Sequence, residues 1–138
     1  MYAVSFSSMR TKTKFNELKK IFATLHGPKG CLWDKKQTHK TLIPYLKEEA
    51  GEFIRAVQGG NDRHMTEELG DILLQVMFHS QIASREGRFS VEDVIDALIK
   101  KLKRRHPHVF GNVKVKSSRQ IIANWHKIKK LEKKQKNV

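Results

Sequence analysis

The chain of 138 residues carries 28 Lys and Arg against 14 Asp and Glu, a formal net charge of +14, and a single cysteine. That length suits one domain with a real core, and no run of about 18 apolar residues is present to span a membrane. One cysteine excludes an internal disulfide and fits a reducing compartment, so the expected location is cytoplasmic.

Taken in order, the apolar pattern is helical nearly throughout. Residues 1–13 (MYAVSFSSMRTKT) lack an acid and read as a flexible N-terminal extension, leaving 14–138 as the domain. Phe15, Leu18, Ile21, Phe22 and Leu25 predict a first helix over 14–26, ended by HGPKG, with a loop through Cys31-Leu32-Trp33-Asp34. A second helix is expected over 41–58, with Pro44 in its first turn and Gly59-Gly60-Asn61 ending it. The third, 62–86, is the most apolar, with Leu69, Ile72, Leu73, Val76, Met77, Phe78 and Ile82 on more than one face. Such a helix is central, or shared between a core and an oligomer interface. Gly87 closes it, and Ser90 followed by Asp93 resembles a capping box opening a fourth helix over 90–105. Pro107 and Gly111 mark a loop, and Ser117 or Ser118 caps a last helix containing Ile121, Trp125, Ile128 and Leu131. Val113-Lys114-Val115-Lys116 alternates too briefly to argue a sheet. The expected architecture is an all-α bundle of four to five helices.

Chemistry concentrates in two acidic motifs. Glu48, Glu49 and Glu52 lie in KEEAGEF, and Glu68 and Asp71 in EELGD. Glu49 and Glu52 stand three apart, as do Glu68 and Asp71, which puts each pair on one helical face. Two such helices facing each other gather like charges that repel strongly unless something compensates them. Solvation is the ordinary fate of acidic helix faces, but here the acids are embedded among Leu46, Phe53, Ile54, Leu69, Ile72 and Leu73. No lysine or arginine follows any of them by four residues. Gly51 and Gly70 interrupt the motifs, each costing about 1 kcal/mol against Ala in a helix interior, which suggests a close approach of backbone or ligand. A hard divalent cation is the simplest compensation. With no histidine at the i+3 places, all-oxygen ligation favours Mg²⁺ or Mn²⁺ over zinc or iron. Mg²⁺ commonly shares its coordination with phosphates, which points to a phosphoryl substrate.

The charge is lopsided: residues 1–99 hold 14 basic and 13 acidic side chains, residues 100–138 hold 14 and one. The basic end, with clusters at Lys101–Arg105 and Lys127–Lys136, can bind nucleic acid, supply phosphate ligands to a small substrate, or be a solvated tail.

The segments KGCLWDKKQTHKTLIPYLKEEAGEFIRA, EELGDILLQVMFHSQIA, EGRF and KLKRRHPHVFG together resemble the MazG family of nucleoside triphosphate pyrophosphohydrolases over about residues 15–131. The resemblance implies an all-α bundle assembling as a homodimer or homotetramer. It also implies Mg²⁺-dependent hydrolysis of a nucleoside triphosphate to the monophosphate and pyrophosphate. Carried over by position, Glu49, Glu52, Glu68 and Asp71 are the metal ligands and Glu48 orients or deprotonates the attacking water. Lys101 and Arg105, with Arg104 assisting, match the phosphate-binding cations, and Trp125 the aromatic that contacts the nucleotide. Trp33 either faces the nucleotide or anchors its loop. The chain departs from the family in reading Leu32 where proline is frequent and Gly51 where tyrosine is frequent. Many members carry two such domains, and this chain has room for one.

Other residues weigh less. His106-Pro107-His108 reads as a loop feature, His39, His64 and His79 have no partner at ligand spacing, and Cys31 reads as packed. Gly27-Pro28-Lys29-Gly30 is not a phosphate-binding loop of the Walker type. Rival readings from other classes are a basic helical nucleic-acid-binding module and a nucleotide sensor that binds without turnover.

Overall fold

The computed structural model describes residues 6–137, and the regular structure within them is helical. The order is α1 Phe6–Leu25, α2 Leu32–Lys36, α3 His39–Gly59, α4 Asp62–Arg85, α5 Val91–Arg105, α6 Pro107–Phe110 and α7 Ser118–Lys136. The five expected helices are the five long ones. Short α2 and α6 occupy the loops expected around Cys31–Asp34 and after Pro107. Helix α1 starts at Phe6 rather than 14, so residues 6–13 of the expected extension are helical; residues 1–5 lie outside the described residues.

Local chemistry explains the boundaries. The Thr38 hydroxyl accepts from the Thr41 backbone N–H at 3.2 Å while the Thr41 hydroxyl accepts from the Thr38 N–H at 2.9 Å. This reciprocal cap starts α3 two residues before the expected position, and its Thr-for-Glu variant hid it from the usual pattern. Pro44 consequently lies in the second turn, where its missing N–H leaves one carbonyl of the preceding turn without a helical donor. At the other end Gly60 takes a left-handed conformation (φ 67°) and its N–H reaches the Val57 carbonyl. Asn61 then caps α4, its side-chain oxygen accepting from His64 N–H at 3.0 Å. A two-residue link between capped helices folds α3 and α4 into a hairpin.

Two compact units result, Met1–Val91 and Glu92–Val138. The core of the first is Phe22, Leu42, Met77, Phe78 and Ile82, with Phe15, Leu18 and Val91 packed against it. Leu42 and Ile82 are almost fully enclosed, each contributing about 2 kcal/mol by burial. Only the C-terminal half of α4 is central. Its buried residues begin at Gln75, whereas Leu69 and Leu73 stay 51 % and 43 % exposed. A polar knot closes the same unit. His39 and His79 stack face to face with their Nδ1 atoms 2.8 Å apart, Arg88 meets His39 Nε2, and Arg85 donates to the Gln37 carbonyl at 2.9 Å. The histidine partnership spans 40 residues of sequence, which a search for ligand spacing cannot detect.

The second unit is built differently. Helices α5, α6 and α7 contain no fully buried residue. Ser117 caps α7 by accepting from Gln120 N–H, as its position predicted. Among the described residues no helix is long and apolar enough to cross a membrane.

Candidate functional site

The α3–α4 hairpin brings the expected carboxylates together. Oxygens of Glu49, Glu68 and Asp71 lie within 4.8 Å of one another, and so do ligand atoms of Glu52, His64 and Glu68. The pairing runs antiparallel: Glu49 meets Glu68 and Asp71, and Glu52, one turn on, meets Glu68 and His64, one turn back. Glu68 belongs to both groups. Its side chain is only 12 % exposed, and its Oε2 is buried without a hydrogen-bond partner. A buried anionic oxygen left so is costly unless a cation answers it. Burial, and then the negative charges of Asp71, Glu68, Glu48 and Glu52, push the Glu49 carboxyl above its usual range. Glu48 itself is exposed beside this group. The donor set is dominated by carboxylate oxygens with one imidazole, which suits a hard divalent cation.

Two side chains at this centre escaped the sequence reading. Arg55 Nη2 sits 2.6 Å from Glu52 Oε1, at a spacing of three rather than four. His64, expected to have no partner, lies 3.3 Å from Glu68 Oε1, four residues before it. A scan for basic neighbours in both directions and at both helical spacings finds each. The two glycines have open space beside them. A Cβ on Gly51 would meet only the Arg55 guanidinium, at 3.6 Å, and one on Gly70 would meet nothing within 4 Å. Within the chain, neither glycine is required by close packing.

Trp33 packs edge-on against Tyr45 and Phe78, at ring separations of 5.7 and 6.2 Å, and about half of it remains exposed. Those contacts anchor α2 to the core.

The remaining candidates belong to the second unit. Lys101 is exposed on α5. Arg104 Nε donates to Glu132 Oε1 at 2.6 Å, and Arg105 Nη2 to Glu132 Oε2 at 2.8 Å. The Arg105 guanidinium also lies 5.3 Å from the centre of the Trp125 ring, which His106 meets edge-on at 5.2 Å. These contacts hold an arginine over an indole, a surface suited to anions and planar bases. Glu132 is the third residue that sequence reasoning missed. It lies 27 residues from Arg105, beyond any local spacing rule, although it is the lone acid of residues 100–138.

Residues 37–110 match the MazG nucleotide pyrophosphohydrolase domain. The chain is 54 % identical over 119 residues to the nucleoside triphosphate pyrophosphohydrolase/pyrophosphatase MazG of Thermotoga maritima, covering 86 % of this chain and 45 % of that protein. It is 41 % identical over 124 residues to the nucleoside triphosphate pyrophosphohydrolase of Escherichia coli K12, covering 89 % of this chain and 47 % of the relative. An uncharacterized Bacillus subtilis protein, YabN, is 49 % identical over 120 residues, 87 % of this chain and 24 % of its own length. The chain thus spans less than half the length of these curated relatives. Among solved structures, a mazG-related protein from Thermotoga maritima superposes with a TM-score of 0.68 at 27 % identity, covering 84 % of this chain and 98 % of that one.

Proposed function

Because the chain belongs to the MazG nucleotide pyrophosphohydrolase domain family, we propose that it hydrolyses nucleoside triphosphates to the monophosphate and pyrophosphate with Mg²⁺, or Mn²⁺, as cofactor. The observation that carries this reading is the convergence of Glu49, Glu68 and Asp71 around the unpartnered Glu68 Oε2. Glu49, Glu52, Glu68 and Asp71 would hold the metal, which when bound supplies polarisation of a phosphate oxygen and a lowered pKa for its water. Glu48, exposed beside them, orients or deprotonates the attacking water. Lys101 and Arg105, with Arg104, stabilise the charge gathering on the leaving pyrophosphate. Trp125 stacks on the base, and Trp33 bounds the nucleotide or serves only its loop.

A homodimer or homotetramer belongs to the same proposal. Leu46, Ile54, Leu69 and Leu73 are large apolar side chains left exposed on the two helices that carry the acids, more than a lone hairpin comfortably presents to water. A cytoplasmic setting suits the unpaired Cys31.

A screen of ribo- and deoxyribonucleoside triphosphates with Mg²⁺, resolving monophosphate plus pyrophosphate from diphosphate plus phosphate, tests the reading. Release of pyrophosphate that Asp71→Ala abolishes without loss of helix content is expected. Tight nucleotide binding with no product would replace the enzyme by a sensor. The exposed lysines of α7 favour a second reading, nucleic-acid binding, whose mark is a steep salt dependence of binding without hydrolysis.

A further inference from the structure

Glu132 is the one acidic side chain among residues 100–138, against 14 basic ones. It is held by the two adjacent arginines, Arg104 and Arg105, rather than by any of the seven lysines and arginines of its own helix. Both oxygens are engaged, Oε1 by Arg104 Nε and more distantly by Arg105 Nε at 3.4 Å, Oε2 by Arg105 Nη2. The Glu132 side chain is 12 % exposed and that of Arg105 is 16 % exposed. The same Arg105 guanidinium lies over Trp125. An oxyanion held by two guanidinium groups beside an indole is the arrangement a phosphate group of a nucleotide would take. In this chain a carboxylate already fills it.

We propose that Glu132 is an internal placeholder for a substrate phosphate: it keeps Arg104 and Arg105 oriented for a polyphosphate, which displaces it on binding. The identity of the displacing anion rests on the phosphate role assigned above to these arginines. The exchange favours highly charged ligands. A polyphosphate brings more oxygens and more charge than the carboxylate it displaces. Inorganic phosphate recovers little beyond what Glu132 gives already. Glu132 is thus a positioning residue that filters anions by charge, and its release frees the C-terminal turns of α7, which carry Lys133, Lys134 and Lys136.

The test is calorimetric titration of the full chain with inorganic tripolyphosphate and, separately, inorganic phosphate, without divalent metal and at fixed salt. Glu132→Gln keeps the shape and one hydrogen-bond acceptor while removing the charge. It is expected to tighten tripolyphosphate binding by about three- to tenfold, the worth of one or two exposed ion pairs, and to narrow the preference over phosphate. In turnover it should lower KM for the nucleotide and leave kcat unchanged, a split that a merely structural ion pair would not produce. Unchanged or weaker tripolyphosphate binding by a variant with wild-type helix content overturns the placeholder. Should the variant lose helix, the wild-type chain decides by amide hydrogen exchange over residues 128–136. Faster exchange with tripolyphosphate supports displacement, and unchanged or slower exchange overturns it. Tighter tripolyphosphate binding without nucleotide hydrolysis sinks the hydrolase reading alone. Hydrolysis with no change in anion affinity sinks the placeholder alone.

Discussion

The carboxylate group on α3 and α4 and the arginine pair on α5 answer their charge in opposite ways. In the first, Glu49, Glu68 and Asp71 crowd one another, and the nearby Arg55 and His64 engage Glu52 and one oxygen of Glu68, leaving the other oxygen unpartnered. In the second, a single acid takes short hydrogen bonds from both guanidinium groups and cancels one of their two positive charges. A centre that leaves its own charge unanswered recruits a counter-ion from outside. A centre whose guanidinium donors already hold an internal oxyanion binds another by exchange. The difference separates a site where binding relieves repulsion from one where binding must compete.

The comparison breaks most readily at Glu68, the residue shared by both groups that could hold a metal ion. Glu68→Ala is expected to lower Mg²⁺-dependent pyrophosphate release by more than about a hundredfold, with Mn²⁺ binding, followed by electron paramagnetic resonance, lost alongside it. Retained Mn²⁺ binding would move the centre elsewhere. Trp125→Ala addresses the other pole. Loss of base stacking should raise KM by about tenfold while kcat changes little, as steady-state kinetics would record. A fall in kcat with KM unchanged would give the indole a different role.

A smaller effect is expected at Gly70, where a Cβ meets nothing within 4 Å. Gly70→Ala should stabilise the chain by about 1 kcal/mol through helix propensity, read as a raised thermal midpoint. A lowered midpoint combined with a smaller particle by light scattering would instead place another copy's backbone against this face. Smallest is the acid response of the arginine pair. Hydrogen bonds from Arg105 and then Arg104 hold the Glu132 carboxyl down to about 2, from 4.5. A carboxyl depressed by folding lends its stability in full above pH 4.5 and loses it as pH falls toward 2. Trp125 fluorescence in a Trp33→Phe background should follow that loss, and Glu132→Gln should remove this component.

Much of the architecture was legible in the sequence because the long helices obey local rules. Gly60, Asn61 and Gly87 punctuate α3 and α4 as their chemistry demands, and the i+3 spacing of the acids put them on common faces before any hairpin was drawn. Most of what the sequence hides is either too short or too distant. Helices α2 and α6 span five and four residues, less than a hydrophobic period needs to declare itself. Glu132 finds its arginines across an α6-containing loop, and His39 finds His79 across most of two helices. Arg55 and His64 are the exceptions: both are local partners, three residues after Glu52 and four before Glu68, and neither stands four residues after an acid.

The knot at His39 and His79 also fixes where protons sit. Arg88 can only donate, so His39 must accept at Nε2 and carry its own proton on Nδ1. That proton points at His79 Nδ1, which must therefore accept it, leaving the His79 proton on Nε2, a buried nitrogen with no partner. Burial, with His39 beside it, lowers the pKa of His79, so the His79 ring resists the protonation that would cost it its acceptor at Nδ1. The bond is polar in one direction only, from Arg88 through His39 into the core. Asparagine in place of His79 would keep a polar group in a smaller side chain but lacks the fixed, ring-borne acceptor on which that direction depends.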